Sequence, residues 1–451
     1  MPKGLRHRRI HITTFQWIIM GFIGVILMGT LLLMLPISTK QRIVTSFHDA
    51  AFTAVSAVCV TGLVVKDTGS YWSTFGQMII ILLIQIGGLG VITIAVAFAI
   101  LSGRRINLMS RSTMQSSISA PYVGGIVRLT RFIVLGTFTI EGIGALLLMP
   151  RFIPLYGLEG IWMSVFHSIS AFCNAGFDIL GTKNNMFPSL VGFQNDTVVN
   201  VVIMLLIMIG GIGFLTWDDI YHHTYHFKKY RLQSKIVLIT TFFLVVLPAV
   251  LFFFVDFQTL PLKERILASL FQSVTTRTAG FNTVDLTKMS SASKGVMTIL
   301  MLIGASPSST AGGMKITTFV IIVTTAFSVF NQKDETDLFD RRFTIAALRQ
   351  AMTIFVMYLT MFFVVAMFIS IHDGFILSDC LFETASAAGT VGLTLSLTTK
   401  LSHISQTLLM MLMFLGRVGT LTLIYATKRV SKHVYKKLRL RCFICRKKWL
   451  R

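Results

Sequence analysis

One short pattern, repeated four times, limits the architecture of this chain more than any other property of its sequence. In each copy an aromatic residue is followed nine or ten residues later by glycine and an apolar side chain, as in FTAVSAVCVTGL from Phe52. The key glycines are Gly62, Gly176, Gly280 and Gly392, which are 114, 104 and 112 residues apart. This regular spacing predicts four copies of one structural unit.

Each unit contains two long apolar runs with a half-length amphipathic segment between them, at 47–58, 161–172, 264–275 and 378–388. The second run carries a glycine-rich landmark, which begins at Gly87, Gly210, Gly304 and Gly416. A bilayer core requires about 20 residues of helix, so the half-length segment is predicted to re-enter the membrane rather than cross it. Non-helical backbone at membrane depth must be buried or line water. The sequence therefore predicts an all-α integral membrane protein with four tandem helix–pore helix–loop–helix repeats, about eight full spans and four re-entrant half-helices, around one central pore.

The domain boundaries follow from the ends of the apolar runs. We predict a cytoplasmic N-terminus, four repeats separated by cytoplasmic linkers, and a basic cytoplasmic tail. The segments in this order are 1–14, repeat 1 at 15–101, a linker at 102–127, repeat 2 at 128–217, a linker at 218–234, repeat 3 at 235–330, a linker at 331–344, repeat 4 at 345–426 and the tail at 427–451.

Composition and charge agree with a membrane protein. The chain is 54% hydrophobic and 13% charged, with a net charge of +23. The segments assigned to the inner side hold 28 Lys and Arg against 6 acids, whereas the outer side holds 11 of each. This asymmetry follows the positive-inside rule, so both termini are predicted to be cytoplasmic and no nucleic acid partner is expected. The tail is interpreted either as a lipid anchor or as a docking surface for a cytoplasmic partner.

The residues before the four glycines indicate how an ion would be bound. They are small or β-branched, and no acidic side chain is among them. Rings of backbone carbonyls can replace the hydration shell of a cation, and glycine permits the backbone conformations that this requires. The alternative is that these glycines only allow helices to pack closely. Four copies in register, each after a half-length helix, favour a filter.

The same motifs resemble a known family. The sequences VTGL at 60–63, NAGF at 174–177, RTAGFN at 277–282, TVGLT at 390–394, GASPSSTAGGMK at 304–315 and GRVGTLTL at 416–423 resemble the Trk/Ktr/HKT superfamily of potassium transporters, most closely the KtrB-type membrane subunit of bacterial Ktr systems. The resemblance extends from about residue 15 to residue 427.

The resemblance implies a potassium selectivity filter with one loop from each repeat, binding K⁺ as its only metal and through backbone carbonyls. Gly62 at the first position favours potassium, because a serine there accompanies sodium preference in the superfamily. Cys59 departs from the more usual threonine or serine. The predicted filter residues are Cys59, Val60, Thr61, Gly62, Cys173, Asn174, Ala175, Gly176, Arg277, Thr278, Ala279, Gly280, Gly389, Thr390, Val391 and Gly392.

A gate is predicted below the filter. A proline, three glycines and four hydroxyl residues at 304–313 interrupt an apolar run, and the resemblance implies an intramembrane loop that opens or blocks the pore. Arg417 is a charge at membrane depth, matching a family arginine that forms an electrostatic barrier under the filter. A packing kink and a structural salt bridge are the respective alternatives. The predicted gate residues are Gly304, Ala305, Ser306, Pro307, Ser308, Ser309, Thr310, Ala311, Gly312, Gly313, Lys315 and Arg417.

The resemblance also implies the function and the partners. The chain is expected to take up potassium across the bacterial cytoplasmic membrane as a homodimer, seated in membrane lipid on a cytoplasmic ring of RCK/KTN subunits that bind the regulatory nucleotide. No intrinsic cofactor and no enzymatic activity are expected, and Na⁺ is a candidate activator. The alternatives are a sodium-selective member of the same architecture and a membrane enzyme or scaffold in which the glycine repeats are incidental.

Overall fold

A computed structural model describes residues 13–91, 93, 94, 115, 125–224, 226–333, 335–339, 341–419 and 422. Nearly all of the predicted N-terminal segment, most of the 102–127 linker and the whole tail lie outside these residues. The described chain is mainly helical. In chain order the helices are α1 (Thr14–Met34), α2 (Phe47–Val58), α3 (Thr68–Tyr71), α4 (Thr74–Leu89), α5 (Ile126–Tyr156), α6 (Glu159–Phe172), α7 (Thr197–Gly211), α8 (Phe214–His223), α9 (Leu232–Val255), α10 (Leu262–Thr275), α11 (Ser291–Leu302), α12 (Ile316–Phe330), α13 (Ile345–Asp373), α14 (Leu377–Gly389) and α15 (His403–Val418).

Four helices in the described part of the chain are long and apolar enough to cross a membrane. They are α1 from Phe15, α5, α9 and α13, with mean hydropathies of 2.0 to 2.8. At most 39% of the most apolar window of each is buried inside the protein. The exposed surface is rich in Leu, Ile, Val, Phe and Met, which suits it to lipid. Thr13 begins α1 with a capping box to Gln16, which satisfies two backbone donors at the helix start.

The second apolar run of each unit is shorter or broken in the described residues. Helices α4, α11, α12 and α15 have between 10 and 17 residues, and α7 and α8 meet at a bend of 96°. In the third unit this run consists of two helices, α11 and α12, separated by the segment that contains the predicted loop at 304–313. Counting α7 and α8 as one bent span gives five spans by length and composition among the residues described, compared with the eight full spans that the sequence predicts.

The last glycine of three of the glycine-rich landmarks explains where these helices stop. Gly90, Gly213 and Gly419 have φ values of +87°, +89° and +86°, a region that residues with a side chain rarely adopt. Gly90 and Gly419 are the C-caps of α4 and α15, and Gly213 precedes α8 at the bend. The glycine that ends each of these landmarks therefore also marks the end of a straight helix.

The first glycine of the same landmarks permits close packing. A Cβ added at Gly87 would lie 2.1 Å from the carbonyl oxygen of Val58, the last residue of α2. At Gly210 and Gly416 the corresponding distances, to carbonyl oxygens near the ends of α6 and α14, are 2.0 and 2.3 Å. Because glycine has no side chain, each of these three helices can lie directly against the C-terminal end of the half-length helix of its own unit.

The four half-length helices are α2, α6, α10 and α14, with 12 to 14 residues each. Their bounds agree with the sequence prediction to within two residues. The aromatic residue that opens each copy of the pattern lies on one of them, and Phe52, Phe166, Phe271 and Phe382 are at most 1% exposed. The repeated aromatic residue is therefore a core anchor that fixes each half-length helix among its neighbours.

Contacts between successive units close into a circle. Helix α4 contacts α6, α7 contacts α10, α11 contacts α14, and α15 contacts α2. Each half-length helix therefore packs against a helix of the preceding unit, and the fourth unit packs against the first. The C-terminal ends of the half-length helices consequently approach one another near one point.

The segment between α12 and α13 adds a small feature that the all-α prediction omits. Strands β1 (Asp337–Leu338) and β2 (Arg341–Arg342) form an antiparallel hairpin in which Leu338 pairs with Arg341. Leu338 packs with Ile316 of α12. The predicted linker at 331–344 is therefore partly ordered, and the predicted linker at 218–234 begins within α8.

Candidate functional site

The four loops after the half-length helices share one unusual backbone conformation. Gly62, Gly176, Gly280 and Gly392 have φ values between +68° and +94°. Two residues earlier, Val60, Asn174, Thr278 and Thr390 also have positive φ values, between +53° and +73°. A β-branched residue in this region is strained, and such strain is concentrated at functional sites. The four loops therefore share the same pair of left-handed positions, two residues apart.

The four loops meet at their glycines. A Cβ added at Gly62 would lie 2.4 Å from the carbonyl oxygen of Ala175, and the equivalent distances at Gly176, Gly280 and Gly392 are 2.6, 2.3 and 2.2 Å. In each case the neighbour is the carbonyl oxygen before the next glycine, and the fourth loop contacts the first. The oxygens in this ring belong to Ala175, Ala279, Val391 and Thr61.

Hydrogen bonds fix the amide side of each loop. The N–H of Thr61 donates to the carbonyl of Ser56 at 2.8 Å, and Ala175, Ala279 and Val391 donate to the carbonyls of Ser170, Thr275 and Ser386 at 2.8 to 3.0 Å. The N–H of Gly62 and that of Gly392 also donate to the hydroxyls of Ser56 and Ser386. The N–H groups are thus held against the half-length helices, and the carbonyls are left for the centre.

The other predicted filter residues are placed around this ring rather than in it. Cys59 and Cys173 are C-caps of α2 and α6 with buried side chains, and Cys173 Sγ donates to Gln85 Oε1 at 3.5 Å. Arg277 is 7% exposed, and its side chain faces a small cavity next to Ala305. Gly389 is the last residue of α14. The structure therefore brings together the backbones at 60–62, 174–176, 278–280 and 390–392. The side chains of Cys59, Cys173 and Arg277 point away from the ring.

A polar mouth lies on one side of the glycine ring. A cavity of ≈ 100 Å³ is lined by the four glycines, by threonine and serine side chains, and by Asp67 and Asp178. The Asp67 carboxylate accepts hydrogen bonds from the N–H groups of Ser70 and Phe187 at 2.7 and 2.8 Å. Sequence reasoning missed both carboxylates. The signal that could have found them is an acid within five residues after the filter glycine, which three of the four copies carry.

Two other acids, Asp49 and Glu383, lie on half-length helices. Asp49 is in the first turn of α2 and lies 3.6 Å from Lys66 Nζ. Glu383 is fully buried within α14, where it accepts hydrogen bonds from the hydroxyls of Thr394, at 3.1 Å, and Thr398. Glu383 therefore ties the segment that follows the fourth filter loop to its half-length helix.

The 304–313 loop lies on the opposite side of the ring from the mouth. A Cβ at Gly312 would lie 2.2 Å from the Thr390 hydroxyl. The N–H of Ser306 donates to Gly211 O at 3.1 Å, and the Thr310 hydroxyl donates to Phe172 O at 3.1 Å. The loop is therefore held by main-chain groups of the second unit and lies against the fourth.

Two cations surround this loop and bind carbonyls instead of acids. The Arg417 guanidinium donates to Thr310 O in the loop and to Gly87 O and Gly88 O in α4, the last at 2.8 Å. Lys315 Nζ donates to Ala311 O at 2.7 Å. Neither forms an ion pair with an acid in the described part of the chain, so the salt-bridge alternative for Arg417 is wrong for the described residues. Both line a cavity of ≈ 220 Å³ beyond the loop.

A separate polar cluster supports the second loop from behind. Glu141, at membrane depth in α5, accepts a hydrogen bond from Gln85 Nε2 at 3.1 Å. The Ser168 hydroxyl donates to the Glu141 carbonyl at 2.6 Å, and Cys173 Sγ lies 3.9 Å from its carboxylate. A buried residue with partners on α4 and α6 is a structural link between units rather than part of the ion path.

These features define a membrane protein of the cation-transport class, and comparison with known proteins agrees. The family model described as TrkH, cation transport protein, matches residues 6–434. The Ktr system potassium uptake protein B of Bacillus subtilis is 38% identical over 94% of this chain and 95% of its own length. The potassium/sodium uptake protein NtpJ of Enterococcus hirae is 37% identical over 94% of both chains.

Solved structures show the same fold. The crystal structure of the potassium transporter TrkH from Vibrio parahaemolyticus superposes with a TM-score of 0.72 at 17% identity, covering 94% of this chain and 87% of that one. The chain belongs to the TrkH family of cation transport proteins.

Proposed function

We propose that this protein is the pore-forming subunit of a Ktr-type potassium uptake system in a bacterial cytoplasmic membrane. The observation that carries the proposal is the ring of four backbone carbonyls contributed by Thr61, Ala175, Ala279 and Val391. Such oxygens replace the hydration shell of an ion that enters without its water. The Bacillus and Enterococcus relatives both carry names that specify potassium uptake.

The proposed pore lies on the axis of four repeats, at 15–101, 128–217, 235–330 and 345–426. Each repeat supplies one membrane-crossing opening helix, one re-entrant half-helix, one filter loop and one closing segment that lines the path. The circle of contacts between successive units supports this arrangement. The shorter closing segments suit a pore lining, since broken backbone at membrane depth is tolerated where it lines a cavity.

The 304–313 loop is the proposed gate, with Lys315 and Arg417 as a positive barrier beneath the filter. The loop is held against the filter from below by hydrogen bonds to main-chain groups of α7 and α15 and by the Arg417 side chain. An ion leaving the filter would meet the loop and two positive charges. We interpret this arrangement as a closed pore, in which the loop must move before potassium passes.

Control from the cytoplasm is the second part of the proposal. The inner side, with both termini, holds 28 basic and 6 acidic side chains, which favours an acidic partner surface or anionic lipid. We propose a homodimer of this chain on a cytoplasmic ring of RCK/KTN subunits, in which the nucleotide is bound by the ring and not by this chain.

Sodium transport is the competing function. It is favoured by the name of the Enterococcus relative, which includes both ions, whereas Gly62 in the first loop favours potassium through the resemblance to the superfamily. Sodium can also act as an activator within the same system, because activation and permeation can use different sites.

The test is ion uptake by bacteria that lack their own potassium transporters. Cells expressing this chain with a candidate ring subunit should grow at limiting potassium and accumulate K⁺ in preference to Na⁺. In cells expressing the chain alone, K⁺ uptake should be weak or should not be regulated. Preferential Na⁺ accumulation at equal concentrations would replace the potassium assignment with the sodium one. Absence of uptake of either ion, with the protein present in the membrane, would refute the transport proposal.

A further inference from the structure

Two histidines from opposite ends of the sequence meet at the start of two helices. His48 is the second residue of α2 and His403 is the first residue of α15. Their Nδ1 atoms lie 3.2 Å apart, and their ring centroids are separated by 4.4 Å. His403 is exposed and His48 is half-buried. The pair joins the first unit to the fourth, on the side of the protein where the half-length helices begin.

We propose that His48 and His403 form a binding site for a divalent transition-metal ion such as Zn²⁺. Imidazole nitrogen binds Zn²⁺ at about 2.0–2.1 Å with tetrahedral geometry, which places two such nitrogens about 3.3 Å apart. The observed separation of 3.2 Å between the Nδ1 atoms matches this spacing. Imidazole ligands suit Zn²⁺, Cu²⁺ and Ni²⁺ and do not suit K⁺ or Mg²⁺, so the site would not compete with the transported ion.

The outer partners of His48 orient it as a metal ligand requires. Its Nε2 lies 3.3 Å from the carbonyl oxygen of His403, so that nitrogen carries the proton and donates it. The lone pair is then on Nδ1, which faces His403. Metal-binding histidines characteristically donate their second ring N–H to a carbonyl or carboxylate in this way. The Thr407 hydroxyl donates to the same carbonyl at 2.7 Å and holds it in place.

The remaining ligands of the ion would be water. Among the residues that the structure describes, no group of three or more His, Cys, Asp or Glu side chains could hold a metal. An exposed His403 leaves solvent access for two water ligands, the open coordination of an accessible rather than a closed structural site. Without metal, the same two rings form a single hydrogen bond in which His403 Nδ1 donates to His48 Nδ1.

Zinc binding by the purified full-length protein tests this inference. The background should carry Cys442→Ser and Cys445→Ser, because these two tail thiols can bind Zn²⁺ themselves. Isothermal titration with ZnCl₂ in a buffer that does not chelate metal should detect a site that weakens at least about tenfold in His403→Ala and in His48→Ala. His372→Ala is the matched control, since His372 lies near the same end of the molecule but stacks on Phe368.

The exposed position of His403 keeps the test interpretable, because its replacement removes no buried packing. Cu²⁺ provides a second measurement, since nitrogen coupling in its electron paramagnetic resonance spectrum should change in His403→Ala and persist in His372→Ala. Unchanged Zn²⁺ affinity in both His48→Ala and His403→Ala would overturn the proposal and leave the pair as a hydrogen bond between helices.

Discussion

Replacing Gly62 with serine is the most direct test of the carbonyl ring. Gly62 has a φ of +91°, a conformation that costs a residue with a side chain on the order of 1–3 kcal/mol. The new Cβ would lie 2.4 Å from Ala175 O and 3.2 Å from Gly176 Cα. Ordinary contact begins at 3.4 Å, so the first or second loop must shift by about 1 Å. This shift displaces one of the four carbonyl oxygens of the ring.

The expected loss of selectivity follows from this strain. Each ~1.4 kcal/mol of differential free energy between two ions is a factor of about ten in relative affinity. If half of the strain is relieved by displacing the Ala175 carbonyl, K⁺ preference over Na⁺ should fall by roughly tenfold or less. Gly392→Ser should behave alike, because its Cβ would lie 2.2 Å from Thr61 O and 3.0 Å from Gly62 Cα.

The assay is uptake of K⁺ and Na⁺ by transport-deficient cells at equal external concentrations, with membrane abundance measured for each variant. Gly24→Ser is the control, since Gly24 lies in α1 and a Cβ added there would have nothing within 4 Å. It should keep the parent ratio. Folded Gly62→Ser and Gly392→Ser proteins that both retain the parent K⁺/Na⁺ ratio would refute the filter assignment.

Three further changes address the gate, the fourth loop and the tail. Arg417→Ala should raise basal flux up to about twentyfold, because a unit charge about 10 Å from a passing ion contributes roughly 1.7 kcal/mol at an effective dielectric of about 20. Deletion of 306–311 should also raise basal flux and should leave selectivity unchanged. Lower flux from either folded variant would favour a structural role. Glu383→Ala removes the carboxylate that accepts hydrogen bonds from the Thr394 and Thr398 hydroxyls and should destabilise the protein by about 1–3 kcal/mol. Its melting temperature should be lower than that of Asp379→Ala, the control, since Asp379 is a half-buried acid in the first turn of the same helix. Truncation before Lys428 should abolish co-purification of the ring if the tail is a contact, and retained binding would instead assign the tail to lipid.

Much of the scaffold could be predicted because it depends on local pattern. The half-length helices are located to within two residues, since their hydrophobic period and the glycine that follows are both short-range signals. The strongest such signal is the aromatic residue. Phe52 and its three equivalents are buried almost completely, so that a smaller or polar residue in their place would lose packing. The four glycines likewise indicate a special backbone, and all four have positive φ.

Features that depend on distant partners could not be predicted from the sequence. The bend at Gly213 lies in a run whose hydropathy is continuous, so length alone predicts a full span there. The loop between α11 and α12, in contrast, lies where proline, glycine and hydroxyl residues already indicate a break. Arg417 and Gly87 are 330 residues apart, and nothing in either segment specifies the other. Glu383 is a further case, because its carboxylate is satisfied in the interior by the hydroxyls of Thr394 and Thr398, which follow it by 11 and 15 residues.

The choice of carbonyls as partners for the intramembrane cations connects the proposed barrier to the proposed gate. A cation paired with a carboxylate would be neutralised wherever the loop lay. Arg417 and Lys315 instead donate to main-chain oxygens of the loop itself, at Thr310 and Ala311, so these contacts exist only while the loop is in this position. If the loop moves, these hydrogen bonds break, whereas those from Arg417 to the carbonyls of Gly87 and Gly88 can remain. In the proposed gating, this loop would have a second, open position, and a cytoplasmic partner would bias it between the two. The carbonyls of α4 supply Arg417 with a partner that does not depend on the loop.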